Sequence, residues 1–329
     1  MAVSFIHVGM MKTASTYLQN VWLQDEQYAL AFGGANEVVQ YVRQSTLKGD
    51  FDPRHPMHIQ LDKQPVKENN VIISSEGFSC GYLATTEERP LRAMIGNAAE
   101  ILGSLKKETD SVLVCVRSPI AWMKSMHSQF INEGEFGDWA RFYRCKETFL
   151  KEAMDLEFML SRYEQHFGNV VVMPFEYLKN DEAKFWDDFS ARFALPRPKV
   201  EVEVQNESLK GRRLQLLSSM NQLSHTLRQG LAGSDHPSPK EAEFLVDNDS
   251  KYSKWLHRRF CQHASEEKVA EACDQMGIEG DDPAFRKTYI SDDMVEWIET
   301  RFIAAIEKRL NDPSLMDQYR AEVSQTPRG

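Results

Sequence analysis

The stretch Gly9-Met10-Met11-Lys12-Thr13-Ala14-Ser15-Thr16-Tyr17 places one lysine and three hydroxyl residues where a short apolar run gives way to helical spacing. A helix N-terminus presents unpaired N–H groups and a partial positive charge, so Lys12, Thr13, Ala14, Ser15 and Thr16 at that point would cradle a phosphate. The plainer account is a capped helix start, because Ser and Thr are common N-caps. No glycine immediately precedes Lys12, as the G-x-x-x-x-G-K-[ST] loop of ordinary ATPases and GTPases requires. A second constellation is Arg117-Ser118-Pro119 with Ser125 eight residues after the arginine. Arginine offers a fork of donors matched to phosphate oxygens, and a serine hydroxyl completes the shell, so the two would converge on one further phosphate. Taken alone, an arginine beside a proline is often only a solvated turn.

These residues act together only if the elements between them bring them to one place. Ser4-Phe5-Ile6-His7-Val8 is an apolar run that stops at Gly9, and Leu18, Val21 and Trp22 follow at helical spacing, which predicts strand, loop and helix. Val71-Ile72-Ile73-Ser74-Ser75-Glu76 follows a polar stretch and halts at Gly77, so Glu76 falls at the carboxyl end of a strand. Ser111-Val112-Leu113-Val114-Cys115-Val116 leads to Arg117. Pro119 suits a first helical turn, with Met123, Met126 and Phe130 recurring behind it. A fourth strand, Val170-Val171-Val172-Met173, follows one helix whose face is Phe149, Ala153, Leu156, Leu160 and Tyr163. Near-continuous Val/Ile runs between amphipathic helices predict an α/β fold: a parallel sheet covered by helices on both faces, in three layers. Beyond about residue 200 the pattern turns helical. Val295, Ile298, Phe302, Ala305 and Ile306 form one face there, and Gly230 to Lys254 is polar and turn-rich. No internal repeat interrupts the chain.

Composition narrows the function classes. The 329 residues are 42% hydrophobic and 27% charged, as in an ordinary globular protein, which predicts a single domain, 1–329. A net charge of −10 argues against nucleic-acid backbone binding and still permits a local basic pocket for one anion. The lack of any apolar run of about 18 residues or a basic leader predicts neither a membrane span nor a signal peptide. The five cysteines, scattered and never spaced as CxxC, suggest no disulfide framework and no zinc site, and fit a reducing cytoplasm.

Together, the Lys12-Thr13-Ala14-Ser15-Thr16 loop and the Arg117/Ser125 pair resemble the sulfotransferase family that uses 3′-phosphoadenosine 5′-phosphosulfate (PAPS), of bacterial type. In that family a K-T-[GA]-[ST]-T loop holds the 5′-phosphosulfate, and an R-x7-S motif on a later strand and helix holds the 3′-phosphate. The likeness spans residues 4 to 210, with weaker echoes at Phe175-Glu176-Tyr177-Leu178 and Asn206-Glu207-Ser208. It implies a P-loop-like sheet, PAPS as co-substrate with no metal required, and sulfuryl transfer to a hydroxyl, less often an amine, of a glycan or small molecule. It also implies roles for Lys12 on the leaving oxygen and for Glu76 as the base. The helical part, 210–329, would then cover the acceptor.

Other residues receive plainer accounts. Glu76 would otherwise be a structural carboxylate paired with Lys12, His7 a packed core histidine, and His127 a supporting residue or the next candidate base. His257, Cys261 and His263 read as a solvated helix, and Lys210-Gly211-Arg212-Arg213 as an exposed turn that could reach a nucleotide. Trp139, Arg141, Tyr143 and Arg144, with the polar insert near residues 33 to 66, are candidates for an acceptor cleft. Two rival functions share the loop. A kinase or phosphotransferase would need Mg²⁺ and would leave Arg117 and Ser125 without a role, and a non-catalytic adenine-nucleotide-binding module would lack a base.

Overall fold

The computed structural model describes residues 3–56, 59–62, 70–80, 90–200, 202, 209–232, 253–279, 285 and 287–329. Asn206-Glu207-Ser208 and most of the turn-rich stretch after Gly230 lie outside them. Five strands form one all-parallel sheet in the order β2-β3-β1-β4-β5. They are β1 (Val3–His7), β2 (Tyr28–Ala31), β3 (Asn70–Ser74), β4 (Ser111–Val116) and β5 (Asn169–Pro174). The helices up to residue 193 are α1 (Ser15–Gln24), α2 (Gly33–Lys48), α3 (Gly77–Cys80), α4 (Leu91–Gly103), α5 (Pro119–Asn132), α6 (Trp139–Ala153), α7 (Leu156–Glu164), α8 (Phe175–Asn180) and α9 (Glu182–Phe193).

The sheet is buried on both faces because its strands carry apolar residues at consecutive positions. Phe5, Ile72, Leu113, Cys115, Val171 and Met173 pack with Leu18, Val21 and Trp22 of α1 and Phe185, Trp186 and Phe189 of α9. Their alternates Ile6, Ile73, Val112, Val114 and Val172 are equally buried, so the second face is covered too. Phe5 meets Trp22 and Phe189 edge-on, each at 5.5 Å between ring centres. Each such pair adds about 1 kcal/mol beyond the area it buries.

Three elements differ from the sequence reading. β2 is Tyr-Ala-Leu-Ala, an edge strand too short and alanine-rich to stand out, yet all four residues are buried. The single helix expected through Phe149 and Tyr163 is two, α6 and α7. Asp155 breaks it by capping α7, accepting from Phe158 N at 3.2 Å, and its buried carboxylate also takes Arg92 Nη1 at 2.7 Å. Part of the polar insert near residue 33 is the amphipathic α2, whose buried stripe is Ala35, Val38, Val39, Val42 and Ser45.

Contacts divide the chain into two compact units. The first holds Met1–Trp122, Thr148–Gln205 and Ser291–Gln325, and the second Met123–Glu147, Asn206–Ile290 and Thr326–Gly329. The second is helical, built on α10 (Gly211–Ala232) and on Glu266–Gln275, with Leu214, Leu216, Leu217, Cys261, Val269 and Cys273 at its centre. The helical face expected over 295–310 contains a π-helical turn, Ile298–Ile303. Among the described residues no helix is long and apolar enough to cross a membrane. All five cysteines are free.

Parallel strands deliver their following loops to one edge of a sheet, and ligands of open α/β sheets bind at that edge. Here it gathers the loop after β1, Ser75-Glu76 after β3, Arg117 after β4 and Phe175-Glu176 after β5. The β1–β3 register sets His7 beside Ser74, and His7 Nδ1 lies 2.8 Å from Ser74 Oγ. Full burial pushes the imidazole down from 6.5 to about 3. Above pH 6.5 the folded and unfolded chains both hold it neutral. Below that value only the unfolded chain takes up the proton, so stability falls by about 1.4 kcal/mol per pH unit until the folded value is reached. His7→Gln should flatten this slope between pH 6.5 and 5 in denaturant titrations, and an unchanged slope would show that His7 is protonated in the folded chain.

Candidate active site

The loop from Gly9 to Ala14 is held by its carbonyl groups. Ser79 Oγ donates to the Gly9 carbonyl at 2.8 Å, Thr13 Oγ1 to Met10 at 2.6 Å, Trp122 Nε1 to Met11 at 2.8 Å and Arg117 Nη1 to Lys12 at 3.2 Å. Four successive carbonyls are thus drawn outward by side chains. The first N–H groups of α1 have no intrahelical acceptor, and Ala14, at the N-cap, has no side-chain oxygen to meet them.

The backbone alternates in hand across the same residues. Lys12 and Ala14 both have φ of 65°, in the left-handed region, with Thr13 between them outside it. Successive N–H groups in such an alternation converge into an anion-binding concavity. Two non-glycine residues in this region cost about 1 to 2 kcal/mol each, a strain characteristic of ligand-binding loops. Ala14→Gly should therefore stabilise the chain by about 1 kcal/mol, since glycine removes the Cβ conflict and is also the better N-cap. A denaturation midpoint at or below that of the parent chain would mean that residue 14 is not left-handed in solution.

Glu76 follows β3 and turns toward this loop. The Lys12 main-chain N–H donates to its carboxylate, and the Lys12 ammonium and the Ser15 hydroxyl act on it as well. Burial raises Glu76 above its ordinary value and outweighs these three influences, which lower it. The buried Ser15 Oγ stands near enough to stabilise the charge without completing a hydrogen bond of good geometry to any group. Ser75 is turned away: its hydroxyl donates to Asn36 Oδ1 at 3.0 Å and receives Gly77 N at 3.1 Å.

Arg117 is half-buried, with its guanidinium 5.0 Å from the centre of the Phe175 ring. Burial lowers its pKa, and the nearby carboxylates of Glu176 and Glu322 act to raise it. Those carboxylates are tied down in turn. Ser118 N and the Tyr319 hydroxyl donate to Glu176, at 2.9 and 2.5 Å, and Ser118 Oγ donates to Glu322. Apart from the bond to Lys12, the guanidinium fork makes no hydrogen bond among the described residues. Ser125 is half-buried in α5, two turns after Pro119, and is counted with the second unit.

The remaining candidates have structural partners. His127 lies among Trp139, Phe142 and Phe285, with Nε2 3.1 Å from the Gly137 carbonyl, and burial lowers its pKa. Trp139, proposed for an acceptor cleft, is buried and donates to the Tyr289 carbonyl at 2.7 Å. Tyr143 is buried beside it, and Arg141 covers the Phe136 ring. In the Lys210-Gly211-Arg212-Arg213 turn, Arg213 pins the Cys261 and Ala264 carbonyls at 2.8 and 3.0 Å and pairs with Glu266. Sequence reasoning missed Trp122, Tyr319 and Glu322 as supports of the site, and reached Glu176 only within the Phe175-Glu176-Tyr177-Leu178 echo. Among the described residues no group of three His, Cys, Asp or Glu side chains is placed to hold a metal ion.

No family model matches the chain, and no curated protein does. Solved structures do match it. The chain is distantly similar to a sulfotransferase. That structure is the crystal structure of the sulfotransferase from Alicyclobacillus acidocaldarius, at 13% identity and a TM-score of 0.41, covering 77% of this chain and 99% of that one.

Proposed function

We propose that this chain is a sulfotransferase that moves a sulfuryl group from PAPS to a hydroxyl, less readily an amine, of a glycan or small-molecule acceptor. The observation that carries the reading is the meeting of Glu76 with Lys12 and Ser15: a carboxylate of raised pKa stands against a loop suited to an anion. The fit to a phosphate rests on the outward-drawn carbonyls, the alternating hand of Lys12 to Ala14 and the buried, unsatisfied Ser15 Oγ.

PAPS supplies an activated sulfuryl group on a phosphate leaving group; the protein supplies position and charge. Thr13 to Thr16 present main-chain N–H groups, and Ser15 a hydroxyl, to the 5′-phosphate. The Lys12 ammonium neutralises charge gathering on the bridging oxygen. Glu76 accepts the acceptor's hydroxyl proton, for which a carboxylate raised toward working pH is better matched than an ordinary one. The resemblance to the family's R-x7-S motif implies that Arg117 and Ser125 each take part in binding the 3′-phosphate. In-line transfer of this kind depends chiefly on positioning and charge stabilisation, as phosphoryl transfer does.

The direct test is incubation with labelled PAPS and pooled small-molecule extract, without added metal, with ATP and Mg²⁺ in a parallel reaction. One sulfuryl group should appear on an acceptor in the first mixture, whereas phosphoryl transfer in the second alone would replace this reading by a kinase. Arg117→Ala should weaken PAPS binding by roughly 10- to 100-fold, the value of a charge-assisted hydrogen bond. The analogue lacking the 3′-phosphate should lose much less in calorimetry. Equal losses would reduce Arg117 to a support of the Lys12 carbonyl.

A further inference from the structure

Two carboxylates, Glu176 and Glu322, act on the single guanidinium of Arg117. Glu176, just after β5, is buried, and both its oxygens are engaged: Oε1 receives Ser118 N at 2.9 Å and Oε2 the Tyr319 hydroxyl at 2.5 Å. One buried carboxylate held in this way already balances one half-buried arginine.

Glu322 is the second. It follows Tyr319 by three residues on the helix Pro313–Gln325, so the two side chains share a face of that helix. Glu322 is half-buried, accepts the Ser118 hydroxyl and receives Gln318 Nε2 at 3.4 Å. The main chain and the side chain of Ser118 thus reach two different carboxylates, both set beside the residue that follows β4. The Lys12 ammonium, the other positive charge of the site, acts on Glu76. Anchoring the helix needs only the bond from Tyr319 to Glu176. A further negative charge beside an arginine that takes a phosphate repels the phosphate.

We propose that Glu322 is a specificity-determining residue of the candidate nucleotide site: its charge offsets part of the attraction of Arg117 for a 3′-phosphate. It narrows the preference for a nucleotide with that phosphate over one with a free 3′-hydroxyl, and it lets the bisphosphate product leave sooner. Discrimination by a repulsive group is as effective as discrimination by an attractive one. The inference rests on the reading that Arg117 binds the 3′-phosphate.

The probes are adenosine 3′,5′-bisphosphate and adenosine 5′-phosphate, titrated by calorimetry into the parent chain and its variants. Glu322→Gln keeps an oxygen for the Ser118 hydroxyl and loses the charge. It should bind the bisphosphate roughly 10-fold more tightly than the parent does, the size of a partly screened like-charge repulsion, and the monophosphate about equally. The gain should lie mainly in the dissociation rate. A merely structural Glu322 cannot give this result, since a disturbed site loses affinity. Glu322→Asp keeps the charge and should leave the ratio of the two affinities near the parent's. An unmoved ratio in Glu322→Gln, or an equal gain in Glu322→Asp, would overturn the proposal. Should the variants fail to fold, the unaltered chain decides: the methyl ester of the 3′-phosphate, one negative charge poorer, should bind at least as tightly as the bisphosphate, and weaker binding would overturn the proposal. Arg117→Ala separates the two levels of the argument. If it weakens both probes equally, the 3′-phosphate reading fails; if it weakens chiefly the bisphosphate while Glu322→Gln leaves the ratio unmoved, only the role of Glu322 fails. Failure of both the parent chain and Glu322→Gln to bind either probe would overturn both.

Discussion

If the proposed reaction holds, Glu76→Gln should slow the chemical step by roughly 10²- to 10⁴-fold in single turnover while leaving PAPS affinity nearly unchanged, because the amide keeps the shape and cannot take a proton. The acid limb of the kcat/KM profile disappears with it. Stability moves the other way. Since burial raises the folded pKa above the ordinary 4.5, the stabilising contribution of Glu76 is fully present below that value and is lost as pH rises through the folded pKa. Glutamine does not ionise and so escapes this loss. The variant should melt above the parent at pH values above the folded pKa of Glu76, with the gap closing below pH 4.5. A lowered melting temperature with a retained single-turnover rate would make Glu76 structural and pass the base to another residue, His127 being next to test.

Lys12→Ala should cost on the order of 10²-fold or more in kcat, as loss of a transition-state charge partner does, with a smaller fall in PAPS binding. A second effect follows from the site's electrostatics. Lys12 lowers the Glu76 pKa through its charge, so its removal should carry the acid limb to higher pH. A truncation that only disturbed the loop would lower affinity and rate together and leave the limb in place. Turnover like that of the parent would mean that the loop was wrongly assigned.

The strands that the sequence made legible are those with Val and Ile at consecutive positions, because a strand buried on both faces needs no alternation. β2 escaped because alanine has little preference for strands and its burial is decided by neighbours distant in the chain. The break at Asp155 escaped because the apolar spacing continues across it, and only the cap to Phe158 and the bond from Arg92 show the interruption. Lys12, Ser15 and Glu76 could be singled out as candidates because a strand's end is marked locally, by Gly9 and by Gly77. Trp122, Tyr319 and Glu322 were not, since a helix residue that supports a distant loop carries no local sign of doing so. The Tyr319 to Glu176 bond spans 143 residues. The left-handed backbone at Lys12 and Ala14 was equally hidden, because neither residue type announces it.

The four held carbonyls of the Gly9 to Lys12 loop bear on how fast an anion would be captured. Three of the four donors, Ser79, Trp122 and Arg117, come from other elements of the fold, so the shape of the loop is decided before a ligand arrives. Capture then requires no search by the chain, and little conformational entropy is lost on contact. The association rate would be governed by diffusion and by the local field of Lys12 and Arg117, rising in proportion to ligand concentration. A loop that had to fold around its ligand would instead reach a ceiling set by its own rearrangement. In a chain of net charge −10, that local field must also work against long-range repulsion of an anionic nucleotide, so added salt would screen the opposing field over distance while leaving the close contacts largely intact.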